Sequence, residues 1–95
     1  VEDPPYLTDK FGEEAVAFID RNQKEPFFLL LTFNAVHTPL DPSPRRAGEF
    51  AGIQDEKRRA YASMLASLDD AVGSVQKKLA EAGLAQNTLV AFFSD

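Results

Sequence analysis

A chain of 95 residues fits one small domain, and a domain of that size buries only roughly 60–65% of its unfolded surface, so its core is thin. Fifteen acidic against ten basic residues give a net charge of −5 with no basic run, which argues against nucleic acid as a partner. Cysteine is absent, which removes disulfides, thiolate metal sites and a cysteine nucleophile, and there is neither a signal-peptide pattern nor an apolar run long enough to span a membrane.

Consecutive prolines at Pro4 and Pro5 predict an extended, non-helical start. Thr8 or Asp9 then offers an N-cap, Glu13 and Glu14 suit the positive end of a helix dipole, and Phe11, Ala15, Phe18 and Ile19 recur at three- and four-residue spacing. The pattern predicts an amphipathic helix over about residues 8–23. After the polar turn Gln23-Lys24-Glu25-Pro26 comes a near-continuous apolar run, Phe27 to Phe33, closed by Asn34. It is too short for a membrane span and too uniformly apolar for a half-exposed strand, so it reads as a strand at 27–34 buried on both faces.

From residue 36 to 54 periodicity is lost, and prolines at 39, 42 and 44, glycines at 48 and 52 and Arg45-Arg46 punctuate a loop of a length usually tied to function. A second helix, about residues 55–82, presents Tyr61, Leu65, Leu68, Val72, Val75 and Leu79 at alternating steps of four and three, with Met64 and Ala71 broadening the stripe and Gly83 placed as the C′ residue. At about 40 Å it outruns one short strand, so it must bend, with Gly73 as the place, or pack elsewhere. Leu89 to Phe93 reads as a second buried strand. The expected fold class is α/β in the order α-β-α-β: a fragment of a parallel or mixed sheet flanked by helices, with strands 27–34 and 89–93 as a parallel pair and the long helix against a face. Two strands do not make a stable parallel sheet, so the missing neighbours are expected in a longer chain or another copy, and open sheet edges predict self-association of the isolated piece. A start at Val1 and an end at Asp95 directly after an apolar run are likewise expected of a piece of a longer chain.

Parallel pairing puts both carboxyl ends on one rim, where ligands bind in open α/β sheets. His37, the only histidine, follows the first strand, and Asp95 ends the second. His37 has the chemistry of an anion ligand or general acid–base, against the plainer reading of a loop histidine bonded to backbone. Asp95 is suited to a hard cation, against a turn or capping role. Arg45 and Arg46 are candidates for an anionic substrate, against simple solvation. Asp69 and Asp70 diverge by about 100° on a helix and read as a solvated or backbone-bonding pair rather than as converging carboxylates.

Taken in order, Tyr6-Leu7-Thr8-Asp9, Pro26-Phe27-Phe28-Leu29, Phe33 through His37-Thr38-Pro39-Leu40, Tyr61 through Ser67-Leu68-Asp69-Asp70-Ala71-Val72-Gly73, Gly83-Leu84 and Asn87-Thr88-Leu89-Val90 running into Ser94-Asp95 resemble the middle of a sulfatase of the arylsulfatase type, in the alkaline phosphatase superfamily. Each motif alone is weak; the ordered set covers nearly the whole chain. The resemblance implies that His37 contacts the sulfate ester as a catalytic and substrate-binding residue. It also implies that Asp95 is a ligand to a divalent cation, usually Ca²⁺ with Mg²⁺ as the other choice. The nucleophile it implies is a formylglycine from a Cys/Ser-x-Pro-x-Arg motif, which this sequence lacks, so the isolated chain is expected to be inactive. Val36 and Phe93 depart mildly from the family pattern. The substrate implied is a sulfated small molecule or sulfated glycan, and the compartment periplasmic, secreted or lysosomal. A phosphodiesterase or phosphonate hydrolase of the same superfamily, or an inactive self-associating α/β module, are the alternative readings.

Overall fold

The computed structural model describes residues 5–94; the proline lead-in at 1–4 and Asp95 lie outside them. Helix α1 spans Leu7–Asn22 and helix α2 spans Glu56–Glu81, with short 3₁₀ turns at Ala47–Phe50 and Ala85–Asn87. Tyr6, in extended conformation, precedes α1, and its carbonyl accepts from the Lys10 amide at 2.9 Å. No side chain caps this end: Thr8, read from sequence as a possible cap, is instead buried in the first turn. Asp55 does cap α2, accepting from the Arg58 amide at 2.9 Å. At its other end Gly83 adopts φ 74°, the Gly83 amide reaches the Ala80 carbonyl and the Leu84 amide the Leu79 carbonyl, which together form a Schellman termination. Between these caps α2 is one 26-residue helix that continues through Gly73, about 39 Å at 1.5 Å per residue.

The two helices pack on each other. Gly12 of α1 comes so close to Ala71 that an added Cβ would sit 3.0 Å from the Ala71 Cβ, and Lys78 reaches Asp20 at 2.6 Å. Both contacts advance together along the chain, so α1 and α2 run in the same direction, and the segment between them must travel back. Residues 27–34 do this against α1: Phe27 packs edge-on to Phe18 with centroids 5.7 Å apart, and Phe33 edge-on to Phe11 at 6.2 Å. Odd-numbered side chains in 27–34 are partly covered and even-numbered ones exposed, the period-two alternation of a strand with one face on a helix.

That pattern leaves the second face of 27–34 uncovered within this chain, on the side where the expected sheet neighbours would lie. Phe28 is 85% and Leu89 97% exposed, Leu30, Phe92 and Phe93 are bare, and among the described residues no strand is formed and no backbone hydrogen bond joins 27–34 to 89–93. The physical reason is the one that makes two-stranded parallel sheets unstable: neither stretch has the neighbours that would satisfy its amides and cover its second face. The buried stripe of α2 is also displaced from the expected one. Ser63, Met64, Ser67, Ala71 and Leu79 are buried, while Tyr61 and Leu65 stand exposed, because the contact with α1 and the loop selects small residues that permit close approach.

Candidate functional site

His37 sits where the turn after residue 34 closes, its amide donating to the Asn34 carbonyl at 2.9 Å. The peptide bonds Ala35–Val36 and Thr38–Pro39 beside it are cis. The imidazole is exposed, and its Nδ1 lies 2.6 Å from the Thr38 carbonyl oxygen. A carbonyl only accepts, so Nδ1 carries the proton of that bond and Nε2 is the nitrogen left for a ligand. The plain reading of a backbone-bonded loop histidine thus describes one ring nitrogen and leaves the other uncommitted. His37 shares a surface depression with Tyr6, Thr8, Asn34, Asp41 and Met64, so the start of α1, the loop and α2 all contribute walls.

Three tethers hold residues 41–46, just beyond His37, to the start of α1 and to α2. The Tyr6 hydroxyl donates to the Asp41 carbonyl at 2.6 Å; burial, then the charges of Asp41 and Asp9, push this phenol up, so it stays a donor. Next, the Ser43 amide donates to the Ser63 Oγ at 3.1 Å, and the Ser67 Oγ donates to the Ser43 Oγ at 2.6 Å, all three serines being fully buried. The third tether is ionic. Arg45 Nη2 reaches Asp70 Oδ2 at 2.9 Å and Asp9 Oδ1 at 3.3 Å, and Arg46 Nη1 bonds both Asp70 oxygens at 2.7 and 2.9 Å. Arg46 Nε also lies 2.5 Å from Glu49 Oε2, a charge contact without hydrogen-bond alignment.

The arginines therefore face carboxylates. Arg45 borders a different depression, between α1 and α2, from the one His37 lines, so these sequence-selected residues are not brought to one place. Asp70 was hidden by its pairing with Asp69: the expected divergence exists, with Asp69 exposed and Asp70 turned to the loop. No local spacing signals its partners, whereas Ser63 and Ser67, four apart beside Met64 and Ala71, carried a visible cue to a polar contact in an apolar face. Asp95 lies outside the described residues, and among those described no group of three or more His, Asp or Glu could hold a metal ion. No helix among them is long and apolar enough to cross a membrane.

The hydrogen bonds from Arg45 and then Arg46 hold the Asp70 carboxyl below the ordinary aspartate value of 3.8, although partial burial opposes them. A carboxyl depressed on folding stabilises fully above its unfolded value and loses that contribution as pH falls through the folded one. Urea unfolding of the chain between pH 2.5 and 7 is therefore expected to show a stability decline beginning near pH 4, and Asp70→Asn to be less stable at pH 7 with a shallower acid decline. Equal slopes in both proteins would sink this account.

Comparison with known proteins turns this geometry into a family assignment. The family model for Sulfatase matches residues 2–95. Steryl-sulfatase of Rattus norvegicus is 42% identical over 94% of this chain, and the arylsulfatase of Hemicentrotus pulcherrimus 35% identical over 94%. The crystal structure of Ps i-CgsB superposes with a TM-score of 0.78 at 37% identity over 88% of this chain. The chain spans 14% and 15% of the length of those two relatives and 19% of that structure. With a match running through His37 and all three tethers, this chain belongs to the sulfatase family.

Proposed function

We propose that this chain is the part of a full-length sulfatase that supplies one sulfate-contacting histidine, one cation ligand and a loop beside the substrate. The observation that carries the reading is His37: its Nδ1 is committed to the Thr38 carbonyl, and Nε2 is the nitrogen that would meet a sulfate oxygen. With Nδ1–H already given to the Thr38 carbonyl, Nε2 carries a proton only in the imidazolium form; that N–H, donated to the bridging ester oxygen as the S–O bond to the leaving alcohol or phenol breaks, would stabilise the charge that accumulates on it. A formylglycine and a divalent cation, Ca²⁺ or Mg²⁺, supply the nucleophile and charge neutralisation when present. Asp95 is the cation ligand in this reading, and because Ca²⁺ takes six to eight oxygens the other ligands come from outside this chain. Residues 27–34 and 89–93 are parallel strands of one sheet in the full-length protein. The bare even-numbered face, the unpaired backbone and the shared direction of α1 and α2 support this arrangement. Arg45 and Arg46 belong to the loop's attachment rather than to the sulfate, since each faces carboxylates.

The substrate is a sulfated small molecule or glycan. The test is turnover of p-nitrophenyl sulfate against bis-p-nitrophenyl phosphate by the full-length protein and by this chain alone. The expected result is cleavage of the sulfate ester by the full-length protein only. Preference for the phosphodiester would favour the related phosphodiesterase reading, and activity in the isolated chain would overturn the assignment of the nucleophile to a position outside it.

A further inference from the structure

We infer that Asp70 is a positioning residue for His37, acting through Arg45 and Arg46; this rests on the proposed sulfate contact of His37. One carboxylate on α2 grips two consecutive loop arginines, and Arg45 carries the link on to Asp9 in the first turn of α1. The same stretch of α1 borders the His37 depression through Tyr6 and Thr8, and Tyr6 holds the loop at Asp41, four residues beyond His37. The ionic tether thus fixes the distal half of a segment whose proximal half presents the imidazole, with the buried serines between them.

Its value for stability alone is small. The arginine and aspartate side chains are between 25% and 51% exposed, and water screens pairs at such exposure so that each contributes little to stability. Orientation is what the arrangement adds: Arg46 Nη1 is shared between both Asp70 oxygens while Arg45 Nη2 reaches one of them, so a single carboxylate on α2 fixes two consecutive loop residues at once and neither can swing away as one pair could. A charge pair used only for stability has no need of two adjacent, mutually repelling arginines on one carboxylate.

The test is a double-mutant cycle in the full-length protein, with kcat and KM for a sulfate ester measured for wild type, Asp70→Asn, His37→Ala and the double variant. Misplacing a reacting group by about 1 Å can cost up to about 100-fold. Asp70→Asn is expected to lower kcat by roughly tenfold or more with KM within about threefold, and to add less than about twofold in the His37→Ala background. Equal losses in both backgrounds, or none in the single variant, would overturn the inference. Amide hydrogen exchange on the same proteins decides the matter apart from activity. The amides of His37, Arg46 and Ala47, which bond within the loop, should exchange faster in Asp70→Asn while those of α1 and α2 keep their protection. Unchanged loop exchange would overturn the positioning role. A wild type that leaves sulfate esters intact, with loop exchange still accelerated, would instead place the failure in the proposed function of His37.

Discussion

His37→Ala in the full-length protein is expected to lower kcat/KM for a sulfate ester by roughly 100- to 1000-fold, the loss seen when a donor to a developing oxyanion is removed. Stability should barely move. The side chain is exposed, its removal opens no core cavity, and the backbone bond from its amide to Asn34 survives the substitution. Surface changes of that kind usually fall within about 0.5 kcal/mol. The bond from Nδ1 to the Thr38 carbonyl is the feature that could make the prediction fail. If that bond is the reason for the histidine, His37→Ala should lower the melting temperature by several degrees and leave turnover per folded molecule near normal. Paired activity and thermal-melt measurements separate the two, and His37→Gln adds a further arm. An amide can keep a local contact with backbone but has no second ring nitrogen to present, so it should restore stability without restoring turnover.

How much of this was legible in the sequence depends on how local the signal was. Both helices stand in their apolar spacing, and Asp55 and Gly83 mark the ends of α2 because caps are decided within one turn. The start of α1 was less legible, since two polar residues offered themselves as caps and the chain buries one of them instead. The run at 27–34 reads as apolar on two faces, and this chain covers one of them, the Phe11 and Phe18 side, because the neighbours expected on the other face are not part of it. His37 could be singled out as the one histidine after that run. Asp70 could not, because its importance comes from Arg45 and Arg46, some 25 positions away, and from a rotation of α2 that the exposed Tyr61 and Leu65 show to differ from the apolar stripe's own choice.

Gly12 is a point of close approach between α1 and α2, and Gly12→Leu is expected to destabilise the chain by about 3 kcal/mol, the upper part of the range for overpacking. Even a methyl at position 12 would stand 3.0 Å from the Ala71 Cβ and 3.3 Å from its Cα, closer than ordinary contact, and the Cα cannot give way without moving α2. Gly12→Ala therefore sets two effects against each other: a gain in helix propensity of up to about 1 kcal/mol and the clash across the interface. Ala71→Gly removes the nearer of the two atoms. The cycle of Gly12→Ala with Ala71→Gly should accordingly show favourable coupling, the double variant being more stable than the sum of the singles predicts. Urea unfolding followed by helical circular dichroism reads all of these. Gly12→Leu as stable as wild type would mean that α1 and α2 do not approach this closely. The interface also sets the ionic tether, since Asp70 adjoins Ala71 and Asp9 lies about one turn before Gly12, within the reach of one Arg45 guanidinium. Helices wedged apart at Gly12 should lose that bridge, so in the full-length protein a Gly12→Leu variant that still folds should reproduce the turnover defect of Asp70→Asn.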